Sequence, residues 1–482
     1  MEDNNSSNNN KIHEESKSQL NISREIFVKN IKDDITKYYE VIKKIGEGSF
    51  GKVYKVKNKD SGEERAMKQV AKDKIPDLGN FKNEIKILKM LDHPNIIRLY
   101  EVFEDDKNFY LFNELCSGGS LVNKITNAKE KLTEKEMAKI FKQLVSAVAY
   151  CHEKGVCHRD IKLDNILFLT NDKNSTLKLI DFGLSIEFKQ KKLSTKLGTL
   201  LYISPEIVKG NYDEKCDLWA CGVILYVLIT GCQPFEAKTD KEIYKNITKE
   251  TYDLTSSEWK LRSKSLKDLI KHLLCADTIR YTAKQVLESK WIKEKGNDNS
   301  DVDLNYFDSL KMVEYQFYND LKKSVLIFIA SRLGGESKNI RQLFLAMDED
   351  KDGKINIEDF NRALFNNDQT KELNFDDIKE IFVGIDTDKN GYIEFTEFLA
   401  ANLDKNTYLK DERLKEAFKA FNLEDNGYIN KNELIKVFQL EDNANNEKII
   451  KKLIEDNDFD KDGRINYNDF VQMMKKEVSL EQ

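Results

Sequence analysis

The sequence predicts a multidomain α+β protein, with a two-lobed unit, β-rich first and helical second, followed by an all-α array of acidic loops. Three observations predict it. Short runs of alternating apolar residues come early and helical periodicity follows, the order of an α+β unit with segregated layers. Glycines at 353, 391, 427 and 463 then recur at spacings of 38, 36 and 36 residues, the mark of an array of small repeated units. A length of 482 residues, at about 150 per domain, allows two or three domains.

Each element has its own signal. Residues 1–37 are rich in Asn, Ser, Lys and Glu and are expected to form a mobile polar extension. Runs at 38–45, 52–56 and 65–70 read as strands. A helix over 81–91 places Ile85, Leu88 and Leu91 on one face. The stretch 133–154 is the clearest helix, with Thr133 as N-cap, Glu136 completing a capping box, Leu132 as staple and Gly155 as stop. Its stripe is Met137, Ile140, Phe141, Leu144, Val145 and Val148. Residues 216–231 are too apolar for a surface helix. Packed texture ends near Trp291, a linker follows at 296–300, and a helical stretch over 303–333 carries Phe317, Leu321, Val325, Phe328 and Ile329. The expected divisions are 1–37, 38–292, a junction at 293–334, and a repeat module at 335–482.

Bulk properties exclude several classes. A net charge of −6 gives no global attraction for nucleic acid or an anionic membrane. No run of about 18 apolar residues is present, so no membrane-spanning helix is expected. The N-terminus has no signal-peptide core, and Met1-Glu2 lacks the glycine needed for N-myristoylation. The expectation is a cytoplasmic monomer. Seven cysteines without a Cys-x-x-Cys pair read as free thiols. Cys151-His152 and Cys157-His158 flank the stop at Gly155, and their spacing fits no common zinc site.

The repeated loops spell out a calcium chemistry. Calcium takes 6–8 oxygen ligands, supplied in an EF-hand by loop positions 1, 3, 5 and 12 and the carbonyl at 7, with glycine at 6 for the turn. The first loop (348–359) offers Asp348, Asp350, Asp352, the carbonyl of Lys354 and Asp359; the second (386–397) offers Asp386, Asp388, Asn390, the carbonyl of Tyr392 and Glu397. The third (422–433) offers Asn422, Glu424, Asn426, the carbonyl of Tyr428 and Glu433; the fourth (458–469) offers Asp458, Asp460, Asp462, the carbonyl of Arg464 and Asp469. Ile355, Ile393, Ile429 and Ile465, two residues after each glycine, are placed to pair loops in twos. The second loop has every ligand and ranks tightest. The first and fourth end in an Asp, one methylene short of Glu, and the third starts with a neutral Asn and ranks weakest.

A phosphate-handling set lies upstream. Gly46-Glu47-Gly48-Ser49-Phe50-Gly51 is a G-x-G-x-x-G loop followed by strand-like residues, not by the helix a dinucleotide fold requires, so it is expected to cover phosphates as a hairpin flap. Lys68 follows on a strand, with Glu84 on the next helix as its carboxylate partner. His158-Arg159-Asp160, Lys162, Asn165 and then Asp181-Phe182-Gly183 complete a series that resembles the protein-kinase signature set over residues 38–292. Ser204-Pro205-Glu206, Asp217, Trp219, Gly222 and Arg280 match that family's later motifs, with Glu206 and Arg280 as a buried ion pair.

The resemblance implies the following. The fold is a bilobal protein kinase followed by a calmodulin-like EF-hand module, and the cofactors are ATP, Mg2+ and Ca2+. Asp160 accepts the substrate hydroxyl proton, Asn165 and Asp181 hold Mg2+, Lys68 with Glu84 binds the α/β-phosphates, and Lys162 meets the γ-phosphate as in Ser/Thr kinases. The nucleotide-binding set is Ile45, Gly46, Glu47, Gly48, Ser49, Phe50, Gly51, Val53, Ala66, Lys68, and the hinge residues Glu114 and Cys116, with Asn113 just before the hinge. Ser120 stands where many basophilic kinases carry Glu, so no arginine-directed preference is implied. Thr195 occupies the activation-loop phosphosite, where a phosphate would pair with Arg159. A calcium-sensing scaffold with an inert kinase fold would have lost Lys68, Asp160 or Asp181, and all are present. The whole chain, with Ser324 to Leu333 resembling the junction, is similar to the calcium-dependent protein kinases of plants and protists. The implied partners are protein substrates bearing Ser or Thr and the chain's own EF-hand module: without calcium the autoinhibitory helix of 303–333 and the module would hold the kinase inactive, and calcium binding would relieve that hold.

Overall fold

The computed structural model describes residues 20–48, 51–126, 131–188, 193–195, 197–296, 308–333, 338–365, 367–370, 372–441 and 443–477. The first lobe is a sheet of strands β1 (Asn30–Ile31), β2 (Tyr39–Gly48), β3 (Gly51–Asn58), β4 (Glu64–Ala71), β5 (Leu99–Glu104) and β6 (Asn108–Asn113), in the order β1-β5-β6-β4-β3-β2. Pairing is antiparallel except where β1 runs parallel to β5. Helix α1 (Leu78–Met90) packs on it, started by Asp77, whose carboxylate accepts from the amides of Gly79 and Asn80. The sheet explains the hairpin flap: a Cβ on Gly51 would lie 2.0 Å from the carbonyl oxygen of Gln69, so no larger residue fits between β3 and β4.

The second lobe is helical. Helix α2 (Glu134–Glu153) opens with the expected capping box between Thr133 and Glu136 and stops before Gly155, whose φ of 72° needs no Cβ. Helix α3 (Lys215–Thr230) is buried along nearly its whole length, which explains its lack of a polar face. Trp219 on it stacks on Phe235 at 5.1 Å. The small strands β7 (Val156–Cys157), β8 (Ile166–Phe168), β9 (Leu177–Leu179) and β10 (Ile186–Glu187) lie between α2 and α3 in the chain.

The junction differs from the sequence expectation. The stretch anticipated as one helix over 303–333 is two, α4 (Leu310–Gln316) and α5 (Asp320–Arg332), because Asn319 caps a new start by accepting from the amide of Lys322; residues 303–307 lie outside the described residues. Helix α5 is enclosed on all sides: Val325, Leu326, Ile327, Phe328 and Ile329 are each at most 2% exposed. Its polar residues are also buried, and the lysines donate to carbonyls at EF-hand helix ends, Lys322 to Lys476 O (2.7 Å) and Lys323 to Gly384 O (2.8 Å).

The repeats form two pairs. Helices α6 (Lys338–Met347) and α7 (Ile357–Phe365) flank the first loop, α8 (Phe375–Ile385) and α9 (Phe395–Ala401) the second, α10 (Asp411–Phe421) and α11 (Lys431–Val437) the third, α12 (Ala444–Glu455) and α13 (Tyr467–Lys475) the fourth. The isoleucines pair as the spacing predicts: Ile355 and Ile393 exchange backbone hydrogen bonds of 3.0 and 2.9 Å, and the short strands β11 (Tyr428–Ile429) and β12 (Ile465–Asn466) put Ile429 opposite Ile465.

The module packs against the two-lobed unit along α2, the turn after α1, and the outer strands. Lys354 pairs with Glu153 at 2.7 Å, Lys154 with Glu394, and Asp92 accepts from Thr396 N at 2.8 Å. Arg65, 1% exposed, bridges Glu101 (2.8 Å) and Glu416 of the module (2.9 Å) between the rings of Tyr39 and Tyr100. The expectation of a polar extension over 1–37 is corrected for its described part, 20–37. Leu20, Ile22 and Phe27 join the module's core, where Phe27 meets Phe328 (5.6 Å) and Phe421 (5.7 Å). Seven of the eighteen residues from 20 to 37 are apolar, and Leu20, Ile22, Phe27 and Val28 are buried together with Arg24.

Candidate active site and calcium loops

The cleft gathers residues from five places in the chain. On β4, Lys68 stands opposite Val53 of β3 and Leu111 of β6. Its Nζ lies 3.0 Å from Glu84 Oε1 on α1 and 3.6 Å from Asp181 Oδ1. Burial opposes the lysine's charge, but Glu84 and Asp181 outweigh it and raise the pKa above the ordinary value. Lys68 is therefore a fixed positive charge beside an acidic residue of the opposite lobe.

Asp160 is the centre of the lower half. Lys162 Nζ lies 2.6 Å from its Oδ2, Asn165 Nδ2 donates to its backbone oxygen (2.9 Å) and Oδ2 (3.1 Å), and Thr199 Oγ1 donates to its Oδ1 (2.9 Å). Lys162 also reaches Thr199 Oγ1 at 3.2 Å. The loop is shaped from beneath by Asp217, whose two carboxylate oxygens each accept a backbone amide at 2.8 Å, from His158 and Arg159. Those bonds hold Arg159 at a φ of 67°. Ile180 N donates to Asn165 O (2.9 Å), which ties Asn165 to the residue before Asp181. Phe182 is fully buried with its ring 4.7 Å from His158.

The remaining sequence-derived residues fall around this cleft. Gly46 and Glu47 pair with Val53 and Lys52, and Gly48 with Gly51, in the flap hairpin; Ile45 is 44% exposed, and Ser49 and Phe50 lie outside the described residues. Ala66 pairs with Asn113 across β4 and β6. Glu114 follows at the hinge, its amide already donating to Arg98 O (2.9 Å) and its carboxylate 2.6 Å from buried Lys178. The Cys116 thiol is pushed up to about 12 by burial, with Glu114 adding to the effect. Glu206 and Arg280 form the expected buried pair, with Arg280 Nη2 3.1 Å from Glu206 Oε2. Thr195 is exposed; its carbonyl accepts from Tyr212 OH (2.9 Å), and that hydroxyl accepts from Arg159 Nη1 (3.3 Å).

Three of the four loops bring carboxylates together: Asp348, Asp350 and Asp359; Asp386, Asp388 and Glu397; Asp458, Asp460 and Asp469, each group within 4.8 Å. A cation fits the first. Asp348 Oδ1 and Asp359 Oδ2 are buried without a hydrogen-bond partner, and burial raises both carboxyls, Asp359 to about 6. In the second loop, burial with neighbouring carboxylates likewise raises Glu397, and Asp386 rises to about 6. Asp352 and Asn390 sit at position 5, each accepting from the residue two on, and Asp462 does the same in the fourth loop. In the third loop Glu433 accepts from the amides of Glu424 and Asn430 (both 2.9 Å), as Glu397 accepts from Thr387 (2.8 Å) and Glu394 (2.9 Å) in the second; the difference lies in neutral Asn422 at position 1 and in Asn426 Nδ2, which donates to Glu424 Oε2 (3.2 Å). The position-7 carbonyls belong to Lys354, Tyr392, Tyr428 and Arg464, and each loop glycine has φ between 85° and 88°.

Comparison with known proteins gives the same two parts. The protein kinase domain matches residues 39–292, and an EF-hand domain pair matches 337–401 and again 411–475. Calcium-dependent protein kinase 4 of Plasmodium falciparum (isolate 3D7) is 35% identical over 441 residues, 84% of this chain and 83% of its own length. The chain belongs to the calcium-dependent protein kinase family. Calcium-dependent protein kinase 4 of Plasmodium berghei (strain Anka) is 35% identical over 411 residues, 80% of this chain and 77% of the relative. Calcium-dependent protein kinase 5 of Plasmodium falciparum is 37% identical over 398 residues, 81% and 69%. Two contributors to this kinase's site escaped the sequence reading. Thr199 lies 39 residues from Asp160 and has no local signal. Asp92, which caps the helix leaving the second calcium loop, looks like any surface acid until α9 is placed on it. Among the described residues, no helix is long and apolar enough to cross a membrane.

Proposed function

We infer that this kinase transfers the γ-phosphoryl group of ATP to Ser or Thr hydroxyls of proteins and that calcium controls the transfer. The observation that carries the reading is the convergence of Lys162, Asn165 and Thr199 on Asp160, under a Lys68–Glu84 pair already formed. Asp160 is the group that orients the substrate hydroxyl and takes its proton, because its carboxylate is held in place by three side chains. Lys162 and Lys68 supply fixed positive charge to a phosphoryl group that is anionic throughout. Mg2+, when bound, neutralises phosphate charge, and Asn165 and Asp181 are the residues that would hold it. The amide of Asn165 is turned to Asp160, which leaves its oxygen for that role. At the hinge, the committed amide of Glu114 leaves its carbonyl, with the backbone of Cys116, to meet adenine.

Calcium control follows from the loops and the packing. The four loops bind Ca2+ with the second tightest and the third weakest. The module in this arrangement holds α5 inside its core and packs on α2 and the turn after α1, so relief of autoinhibition amounts to keeping the junction there. Phosphorylated Thr195 orders the activation loop by pairing with Arg159. The kinase works as a cytoplasmic monomer. The deciding experiment is ATP consumption on a generic protein substrate, with calcium and with chelator, for wild type and Asp160→Asn. Turnover that requires both calcium and Asp160 is expected; equal turnover in chelator would overturn the calcium switch.

A further inference from the structure

Residues 20–31 run from the second calcium loop to the end of the helix that carries Glu84. At the calcium end, Ile22 N donates to Thr387 O (2.9 Å) and Thr387 Oγ1 donates to Ile22 O (2.7 Å). Thr387 is the second residue of that loop, and its amide also donates to Glu397 Oε1 (2.8 Å). At the kinase end, Arg24 Nη1 donates to Leu91 O (2.9 Å) and Lys89 O (3.3 Å), and Nη2 donates to Leu99 O (2.7 Å). Lys29 O then accepts from Val102 N (2.9 Å), and β1 joins the sheet beside β5.

The last carbonyls of a helix lack donors of their own and carry partial negative charge. Arg24 supplies a cation and donors at the end of α1, about one and a half turns beyond Glu84. Arg24 is only 6% exposed, and its Nε has no hydrogen-bond partner among the described residues. Burial lowers its pKa, with nearby Asp92 acting in the other direction. An arginine buried at such a cost has an apolar alternative if it only fills space. The same helix end also holds the exit of loop 2, since Asp92 accepts from Thr396 N (2.8 Å) and Thr396 Oγ1 (2.9 Å). Loop 2 is thus gripped at its second and eleventh residues by groups that meet at the end of α1.

We propose that Arg24 is a positioning residue for phosphoryl transfer: it fixes the end of α1, and through it the Lys68–Glu84 pair, to a strap that reads the state of loop 2. The proposal rests on the calcium-switch reading above. It makes the coupling between calcium and nucleotide depend on a residue that touches neither ligand, and such coupling is reciprocal.

The test is calorimetric and uses the full chain. Binding of a non-hydrolysable ATP analogue is measured with saturating calcium and with chelator, and calcium binding is measured with and without the analogue. Wild type is expected to show the same coupling factor in both directions. Arg24→Met is expected to reduce that factor about fivefold or more, and Arg24→Lys, which keeps a cation but fewer donors, to fall between. Wild-type coupling in Arg24→Met, or a lowered unfolding midpoint with coupling intact, would overturn the proposal. Should Arg24→Met not fold, wild-type coupling in Arg24→Lys overturns it as well. Absence of coupling in wild type would instead remove the calcium-switch reading, and this proposal with it.

Discussion

Asp160 shows how much a single carboxylate depends on neighbours that the chain brings from elsewhere. Replacing it by Asn keeps the shape and removes the proton acceptor, so turnover should fall by about 10²–10⁴ with the unfolding midpoint unchanged, as steady-state kinetics and calorimetry would record. Thr199→Val removes one hydrogen bond to that carboxylate and one partner of Lys162; turnover should fall about tenfold, the worth of a hydrogen bond to a charged group. His93 gives a pH effect of calculable sign. It is 4% exposed, bonded to Ser146 Oγ (3.1 Å) and Asn95 N (3.0 Å), and burial, aided by Lys178, pushes its pKa down to about 3. Below about pH 6.5 the unfolded chain takes up a proton here that the folded chain refuses. Stability is therefore lost as pH falls. Between pH 7.5 and 5.5, wild type should lose about 1 kcal/mol more than His93→Gln in the same buffer, read by denaturant unfolding. The residues that gather at the cleft, Lys68, Glu84, Asp160, Lys162, Asn165 and Asp181, were legible in the sequence because phosphoryl chemistry demands particular side chains at particular spacings. Thr199, His93 and Arg24 were not, since each takes its meaning from a contact dozens of residues away.

At the scale of elements, local signals served well wherever an element is satisfied locally. The Thr133–Glu136 box and the stop at Gly155 bound α2 as expected, and the isoleucine pairs joined the loops. Apolar periodicity runs on through the junction past Phe317, while the Asn319 side chain starts a new helix there, so the sequence reads as one helix where the molecule has two. Helix α5 also shows why polar residues in a helix do not mark its solvent face: Lys322 and Lys323 are buried because carbonyl ends of α13 and α8 await them. The calcium loops lead to a ranking test. Glu397→Gln should raise the calcium concentration for half-maximal activity about tenfold or more, since it removes the terminal carboxylate from a three-carboxylate cluster. Glu433→Gln, in a loop that starts with neutral Asn422 and gathers no three-carboxylate cluster among the described residues, should shift it by less than about threefold. A titration of activity against free calcium distinguishes them.

On the scale of the whole molecule, the kinase and the module are joined by charges that each needs from the other. Arg65 sits among Glu63, Glu101 and Glu416, and only the last comes from the module. Glu416→Ala removes one of the guanidinium's carboxylates while Glu101 stays, and should loosen the docked arrangement by about 1.5–3 kcal/mol, the worth of a hydrogen bond between charged groups. Hydrogen exchange at residues 92–98 and maximal calcium-stimulated turnover would report it. Removing residues 297–482 should abolish calcium dependence altogether.

The placement of Leu20, Ile22 and Phe27 inside the module's core has a practical corollary. A recombinant fragment trimmed to begin at residue 39, where the kinase domain match starts, would keep every cleft side chain named above. It would also strip out a wedge that touches both halves, and remove the ring that packs on Phe328 and Phe421. Such a fragment can pass for an intact enzyme in a simple activity screen while responding to calcium with the wrong threshold.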